Sequence, residues 1–157
     1  MSEQHRTLTL TSPEHSCDVA RALATRLGPG HVILLEGDIG AGKTHIARCL
    51  IKAMIAEDED VPSPTFTLVQ SYEVDTTEIW HADLYRLSSP DEVVELGLLD
   101  AFDTALCLVE WPDRLADLRP KSALLLSLSM TEQAGERRAE FRWTDPIWTN
   151  ILEATLT

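Results

Sequence analysis

The chain has 157 residues, of which 44% are hydrophobic and 25% are charged. This length and composition predict one globular domain over residues 1–157 and exclude a chain that is disordered throughout. Lys and Arg total 13 against 26 for Asp and Glu, which gives a formal net charge of −13. A chain this acidic is poorly suited to bind a nucleic-acid backbone by itself, because such binding depends on Lys and Arg. A basic partner suits its charge better.

We find neither a membrane-spanning nor a secretory segment in the sequence. The longest clean apolar stretches, such as 32–35 and 123–126, are long enough only for strands.

The cysteines, Cys17, Cys49 and Cys107, are odd in number, lie far apart and form no CxxC pair. We therefore expect three buried free thiols, no disulfide scaffold, no structural zinc, no contact with a membrane, and a cytoplasmic location.

Strands and helices alternate along the first part of the chain. Polar and apolar residues alternate over 7–10, which predicts a short edge strand, and a helix follows with Pro13 in its first turn behind a Thr or Ser cap. The apolar run 31–36 is bounded by glycines and predicts a strand buried on both faces. Apolar residues at helical spacing predict a second helix over 43–57, which ends in an acidic run.

The second part of the chain predicts further strands and shorter helices. The expected elements are strands at 66–72 and 78–82, a helix that starts with a capping box at 89–92 and ends near 97, a strand at 105–109, a hairpin from 123–130 and 139–143, and a terminal helix from 145. Helices that alternate with strands around an apolar sheet predict the α/β class, with a mixed, partly parallel sheet.

Residues 37–44, GDIGAGKT, match the phosphate-binding pattern GxxxxGK[ST] at every fixed position. The motif lies between a predicted buried strand and a predicted helix, where its mechanism requires it. Its glycines let the loop turn several N–H groups towards one anion, while Lys43 reaches the β- and γ-phosphates and the Thr44 hydroxyl binds Mg²⁺. A glycine-rich turn without a ligand would leave both side chains unexplained. The sequence therefore predicts a nucleotide-phosphate site in a three-layer, P-loop NTPase-like fold.

The nucleotide-binding residues that we expect from this segment are Asp38, Ile39, Gly40, Ala41, Gly42, Lys43, Thr44 and His45. The second protein ligand of the metal should be a carboxylate at the end of a neighbouring strand. Glu110 follows the apolar run ALCLV and is the best-placed candidate. The alternative is that Glu110 is only an exposed carboxylate at a strand end.

His81 and Asp83 follow Trp80 at the end of a predicted strand and, being two residues apart, share a face. A carboxylate near the γ-phosphate can accept a proton or align the nucleophile, so Asp83 is a candidate catalytic residue. Asp83 could instead only cap the turn that follows, and His81 could be a hydrogen-bonded structural residue. The residues alone leave these alternatives open.

Two further positions have both a functional and a structural interpretation. Thr65, in the segment SPTF, could reach the metal in the triphosphate state, or the segment could be a rigid proline-containing loop. Trp111 follows Glu110 directly and could either stack on a base or anchor the core.

Four segments occur in order within this short chain: GDIGAGKT, SPTFTLV, HADLYRL and LVEWP. Together they resemble the TsaE (YjeE) family of bacterial P-loop ATPases, which take part in forming threonylcarbamoyladenosine on tRNA. The resemblance covers about residues 12–112. It implies an ATPase that works with the TsaB and TsaD proteins and meets tRNA only within that complex.

The same resemblance implies roles for individual residues. Thr44 and Glu110 would hold Mg²⁺, Asp83 would be catalytically important together with Lys43, and Thr65 would belong to a switch-like loop. Trp111 matches a functionally implicated position, so it joins the expected nucleotide-binding set. His45 departs from the family pattern, since a second Thr or Ser is expected there.

Two other functions remain as alternatives. A small-molecule or nucleoside kinase would also use a P-loop and Mg²⁺, but it needs an acceptor pocket and usually a mobile cationic lid. A GTP-dependent switch is disfavoured, because Asn150 is the only asparagine and no NKxD guanine motif can be present.

Overall fold

The computed structural model describes residues 2–55, 61–64, 67–75 and 77–156. Within these ranges the strands form one seven-stranded sheet in the order β1-β7-β6-β2-β5-β4-β3. The strands are β1 (Gln4–Leu10), β2 (Val32–Glu36), β3 (Val69–Val74), β4 (Thr77–Asp83), β5 (Leu106–Glu110), β6 (Leu124–Met130) and β7 (Arg137–Trp143).

The centre of the sheet is parallel and its edges are antiparallel. Strand β2 pairs in parallel with both β5 and β6, and β4 pairs in parallel with β5. Strands β3, β7 and β1 pair antiparallel with β4, β6 and β7 respectively. The central strands β2 and β5 are almost entirely apolar because both of their faces are covered. The predicted mixed α/β sheet is confirmed.

Helices cover both faces of this sheet. They are α1 (Pro13–Ala24), α2 (Lys43–Met54), α3 (Pro90–Glu95), α4 (Leu98–Thr104) and α5 (Pro146–Thr155), and a 3-10 segment spans Pro112–Leu118. Helices α1, α2 and α5 contribute Leu23, Leu50 and Trp148 to the core on one face. Helices α3 and α4 contribute Val93 and Phe102 to the core on the other. The predicted three-layer arrangement is therefore present.

The region around Gly97 differs from the sequence prediction. Helix α3 begins as predicted, with Ser89 as its N-cap and Pro90 in its first turn, but the capping box is incomplete because the Ser89 side chain makes no capping hydrogen bond. Instead the Glu92 carboxylate accepts from the Ser88 hydroxyl at 2.6 Å and from the Ser88 N–H at 3.2 Å. Gly97 ends α3 as expected, but its positive φ of 80° also turns the chain directly into α4, which the sequence analysis did not predict.

The expectation of three free thiols is wrong. Cys17 of α1 and Cys49 of α2 form a disulfide with Cα atoms 5.2 Å apart, and Cys107 is the free cysteine of the described residues. The two partners are 32 residues apart in sequence. They meet because α1 and α2 pack side by side on the same face of the sheet, a contact that sequence spacing does not reveal.

Some predicted features lie outside the described residues, namely Thr65, Phe66, which begins a predicted strand, and the acidic run 57–60. None of the helices in the described part of the chain combines the length and the apolar character that crossing a membrane requires.

Candidate nucleotide site

The loop 37–44 joins the carboxyl end of β2 to the first turn of α2, as its motif predicts. Gly42 is the N-cap of α2, with a φ of 104° and no capping side chain, and the first turn contains no acidic residue. Helix α1, by contrast, is capped by the Ser12 hydroxyl, which accepts from the His15 N–H. The start of α2 therefore presents backbone N–H groups and the positive end of the helix dipole without a side-chain acceptor.

Lys43 extends from the first position of α2 back over the loop. Its side chain donates from Nζ to the carbonyl oxygens of Gly37 and of Asp38, the latter at 3.0 Å. The same Nζ lies 4.2 Å from the centroid of the Trp111 ring. The ammonium group is thus held beside the loop by two carbonyls and an aromatic face.

The electrostatic surroundings of Lys43 act in opposite directions. Burial lowers the pKa of the Lys43 ammonium, while the carboxylates of Glu110, Asp83 and Asp38 raise it. Burial is the larger effect, so the net shift of this pKa is downward. A phosphate group in the cavity would add negative charge and favour the protonated ammonium further.

Thr44 and Glu110 meet although they are 66 residues apart. The Thr44 hydroxyl donates to Glu110 Oε1 at 2.7 Å. The other carboxylate oxygen, Oε2, lies 2.6 Å from His81 Nε2, which must carry the proton if the carboxylate is ionised. Glu110 and His81 are 2% and 0% exposed, so Glu110 is not a solvent-exposed strand-end carboxylate. Both of its oxygens are oriented by hydrogen bonds.

Asp83 ends β4 and pairs in register with Glu110 at the end of β5. Its side chain is 5% exposed, and its Oδ1 accepts from the Tyr85 N–H at 3.0 Å. Asp83 therefore does cap the turn after β4, and it also lines the cavity with Glu110. Capping the turn and lining the cavity are thus compatible for this residue.

Trp111 follows Glu110 with a φ of 59° and a ψ of 55°, a left-handed conformation that is rare for a bulky residue. This conformation turns the chain away from β5 directly after the carboxylate. The indole packs against the core on the α3–α4 face and against the Tyr85 ring, with centroids 4.8 Å apart. Trp111 thus belongs both to the packing and to the cavity wall.

These residues surround one open cavity of about 420 Å³. Its lining consists of Ile39, Gly40, Gly42, Lys43, Thr44, His45, Asp83, Tyr85, Glu110 and Trp111. Two residues of the predicted nucleotide set lie elsewhere. Ala41 is buried in the core, and Asp38 contacts the loop through its carbonyl oxygen, which accepts from Lys43 and from the Ala41 N–H.

The donor set suits a nucleotide with Mg²⁺. Thr44 and Glu110 offer hard oxygen ligands within hydrogen-bonding distance of each other. Within the described ranges, no group of three or more His, Cys, Asp and Glu side chains could hold a metal ion by itself. Mg²⁺ commonly binds one or two protein oxygens and completes its shell with phosphate oxygens and water, so this sparse set fits Mg²⁺ bound with a nucleotide.

Sequence reasoning missed two residues of this region. Tyr85 lines the cavity and packs on Trp111, and Arg137 donates to carbonyl oxygens of the loop. Tyr85 lies in HADLYRL, two residues after the candidate catalytic Asp83, and this nearness was the available signal. Arg137 lies far along the chain in a predicted turn, and nothing in its sequence context indicates a contact with the loop.

Comparison with known proteins shows the family to which this sequence belongs. A family model described as threonylcarbamoyl adenosine biosynthesis protein TsaE matches residues 10–139. The chain belongs to the TsaE family. The match includes the loop and every residue of the cavity.

Individual TsaE proteins are similar over most of the chain. The tRNA threonylcarbamoyladenosine biosynthesis protein TsaE of Rickettsia bellii is 40% identical over 78% of this chain and 85% of its own length. The Bacillus subtilis protein of the same name is 33% identical, over 85% of this chain and 81% of its own. The crystal structure of YdiB from B. subtilis superposes with a TM-score of 0.80 at 24% identity, covering 99% of this chain and 97% of that one. This last likeness shows a common fold.

Proposed function

We propose that this chain is a Mg²⁺-dependent ATPase that acts in the biosynthesis of threonylcarbamoyladenosine on tRNA. The observation that carries the proposal is the convergence of Lys43, Thr44, Asp83 and Glu110 on one cavity, at the mouth of a complete phosphate-binding loop. Three of these side chains, all but Thr44, are at least 95% buried. Burying a charged group costs free energy unless the group is paired or hydrogen-bonded. Clusters of buried charged groups are therefore common at functional sites.

Each part of the site has a role in this proposal. The loop amides and Lys43 hold the β- and γ-phosphates, and Thr44 and Glu110 hold Mg²⁺. The metal, when bound, neutralises charge on the phosphate oxygens. His81 keeps Glu110 oriented through its 2.6 Å contact.

Asp83 is the proposed catalytic carboxylate. It lies beside Glu110 in the sheet register, and its hydrogen bond to the Tyr85 N–H orients the carboxylate. A carboxylate held in this way can accept a proton from the attacking water or align that water with the γ-phosphate.

The biosynthetic role rests on the family membership and on charge. Relatives that cover most of the chain are named for tRNA threonylcarbamoyladenosine biosynthesis. We propose TsaD and TsaB as partners, with hydrolysis resetting the TsaD–TsaB unit or releasing its product. A net charge of −13 favours docking on a basic surface of such a complex and disfavours direct binding of tRNA.

ATP turnover, measured with and without purified TsaB and TsaD, tests this function. We expect Mg²⁺-dependent release of inorganic phosphate, and its loss by at least about 100-fold in Glu110→Gln, since one metal ligand loses its charge. Glu95→Gln is the matched control, because Glu95 is exposed on α3. Equal turnover by Glu110→Gln and Glu95→Gln would refute the proposed site. Phosphate transfer to a small-molecule acceptor would instead identify a kinase.

A further inference from the structure

An arginine from the end of the chain holds the backbone of the phosphate-binding loop. Arg137 begins β7, 97 residues after Gly40 and 96 after Ala41. Its Nε donates to the Ala41 carbonyl oxygen at 3.1 Å and its Nη2 donates to the Gly40 carbonyl oxygen at 3.2 Å. A third donor, Nη1, reaches the carbonyl oxygen of Glu136 at 2.9 Å. The guanidinium fork thus spans two successive peptide groups of the loop.

These hydrogen bonds also determine where the loop N–H groups point. A trans peptide group is planar, so its carbonyl oxygen and its N–H face opposite sides. The Gly40 carbonyl and the Ala41 N–H belong to one such group, and that N–H donates to the Asp38 carbonyl oxygen at 3.0 Å. The Ala41 carbonyl and the Gly42 N–H belong to the next. Because Arg137 donates to the Ala41 carbonyl oxygen, the Gly42 N–H on the other side of that peptide group points away from Arg137.

The loop has a particular need for such a contact. Gly40 and Gly42 have φ values of 85° and 104°, and glycine has more backbone freedom to lose on ordering than any other residue. A bond from a charged donor is also stronger than one between neutral groups. Arg137 therefore supplies rigidity where the loop sequence is most flexible.

We propose that Arg137 is a positioning residue for nucleotide binding, which orders the loop amides before the phosphates arrive. The inference rests on the proposed function and deepens it, because it assigns part of the phosphate affinity to the β6–β7 hairpin. Arg137 is not among the residues that line the cavity and acts through the loop backbone.

Hydrogen exchange and steady-state kinetics together test this role. Arg137→Gln removes the charged fork, Arg137→Lys keeps the charge without the fork, and Arg138→Gln is the matched control, since Arg138 is the next residue of β7 and is exposed. In Arg137→Gln we expect faster amide exchange at 40–42 in the nucleotide-free protein. We also expect a KM for MgATP raised about tenfold with kcat within twofold, the pattern of lost uniform binding. Arg137→Lys should recover only part of the KM.

Results of three kinds, from exchange, from kinetics and from binding, would overturn the inference. One is exchange at 40–42 that is the same in Arg137→Gln and Arg138→Gln. Another is an unchanged KM, or full recovery by Arg137→Lys, which would leave no role for the fork geometry. The third is a failure of the unsubstituted chain to bind MgATP at all, which would refute the proposed function itself and is recognised because the control fails equally.

Discussion

Glu110 illustrates how this site is organised at the scale of single residues. Its two carboxylate oxygens contact Thr44 and His81, and its side chain is almost completely buried. Because each oxygen of this carboxylate already has a hydrogen-bond partner, the side chain would lose little further conformational freedom on binding a metal ion. Glu110 is therefore preorganised for the role of metal ligand that we propose for it. The role proposed for Asp83, its neighbour in the sheet, is different, so mutation should separate the two residues.

Asp83→Asn should abolish turnover while leaving nucleotide binding nearly intact. Asparagine retains an oxygen that can accept from the Tyr85 N–H, so the turn after β4 keeps its hydrogen bond. It lacks the negative charge with which Asp83 would accept a proton or align water. We expect kcat to fall by at least about 100-fold and the Kd for MgADP to change by less than about threefold. Turnover assays and calorimetry measure the two quantities.

Asp103→Asn is the control for this substitution, because Asp103 is exposed on α4. It should behave as the unsubstituted chain does. A parallel loss of binding and turnover in Asp83→Asn would make Asp83 a structural cap and remove it from the catalytic site.

At the scale of elements, the phosphate-binding loop is packed tightly against strand β6. A Cβ atom built on Gly37 would lie 2.5 Å from the Leu128 carbonyl oxygen and 3.2 Å from the Ala41 Cβ. The φ of Gly37 is 148°, a backbone conformation that residues with a side chain rarely adopt. The loop therefore depends on β6 beneath it as well as on β2 and α2 at its ends.

Gly37→Ala should destabilise the fold by about 1–3 kcal/mol, because either the loop or β6 must move to make room. Thermal unfolding measures this change as a lower Tm. Gly28→Ala is the matched control, since a Cβ at Gly28 meets no atom within 4 Å. We expect it to change the free energy of unfolding by no more than about 0.5 kcal/mol. Similar Tm values for the two variants would contradict the tight packing of the loop on β6.

The disulfide between α1 and α2 gives a second prediction at this scale. Closing a loop between residues 32 apart should contribute about 3–4 kcal/mol to the free energy of unfolding, on the chain-entropy model. A reductant should therefore lower the Tm of the oxidised protein clearly. The Cys17→Ser, Cys49→Ser double variant should show no response to the reductant. A Tm that does not change on reduction would refute this stabilising role.

Thiol counting offers an independent measurement of the same bond. Burial raises the pKa of the Cys107 thiol to about 12, and its side chain is fully buried, so it should not react in the native protein. We expect no reactive thiol before reduction, two after mild reduction and three after denaturation under reducing conditions. Two reactive thiols in the native, unreduced protein would show that the bond is absent.

Local patterns predicted those elements whose signals lie within a few neighbouring residues. Strand β2 and the loop 37–44 were predictable because apolar runs, glycine spacing and the Lys43-Thr44 pair are all local. The position of Glu110 beside the loop could be predicted because it ends an apolar strand, and its role as a metal ligand stays a prediction. The partnership of Cys17 with Cys49 and the reach of Arg137 to the loop could not be predicted, since both depend on how distant elements pack.

At the scale of the whole molecule, the net charge of the chain has the same sign as the charge of the nucleotide proposed for its cavity. The chain carries a formal charge of −13, yet its cavity is proposed to take a polyanionic nucleotide. Screening at physiological salt acts over about 8 Å, so the loop amides, Lys43 and the proposed metal would determine the potential within the cavity, while the acidic surface determines it elsewhere. The same surface should repel a nucleic acid that has no metal or loop to hold it.

The isolated chain should therefore bind tRNA weakly, with a Kd above about 1 µM at physiological salt, because few cations are available to displace counterions. Filter binding measures this Kd. The proposed complex with TsaD and TsaB is the comparison, and it should bind tRNA more tightly. Submicromolar binding of tRNA by the isolated chain would contradict this interpretation of the charge.

The most direct test of the account is calorimetric titration of the chain with Mg²⁺ and a non-hydrolysable ATP analogue. We expect one site per chain, and a loss of affinity of at least about 100-fold in Lys43→Ala, since the buried ammonium that would meet the phosphates is removed. Lys52→Ala, on the exposed side of the same helix, should bind as the unsubstituted chain does. Equal affinity in Lys43→Ala and Lys52→Ala would contradict the central claim that the triphosphate lies against the loop 37–44.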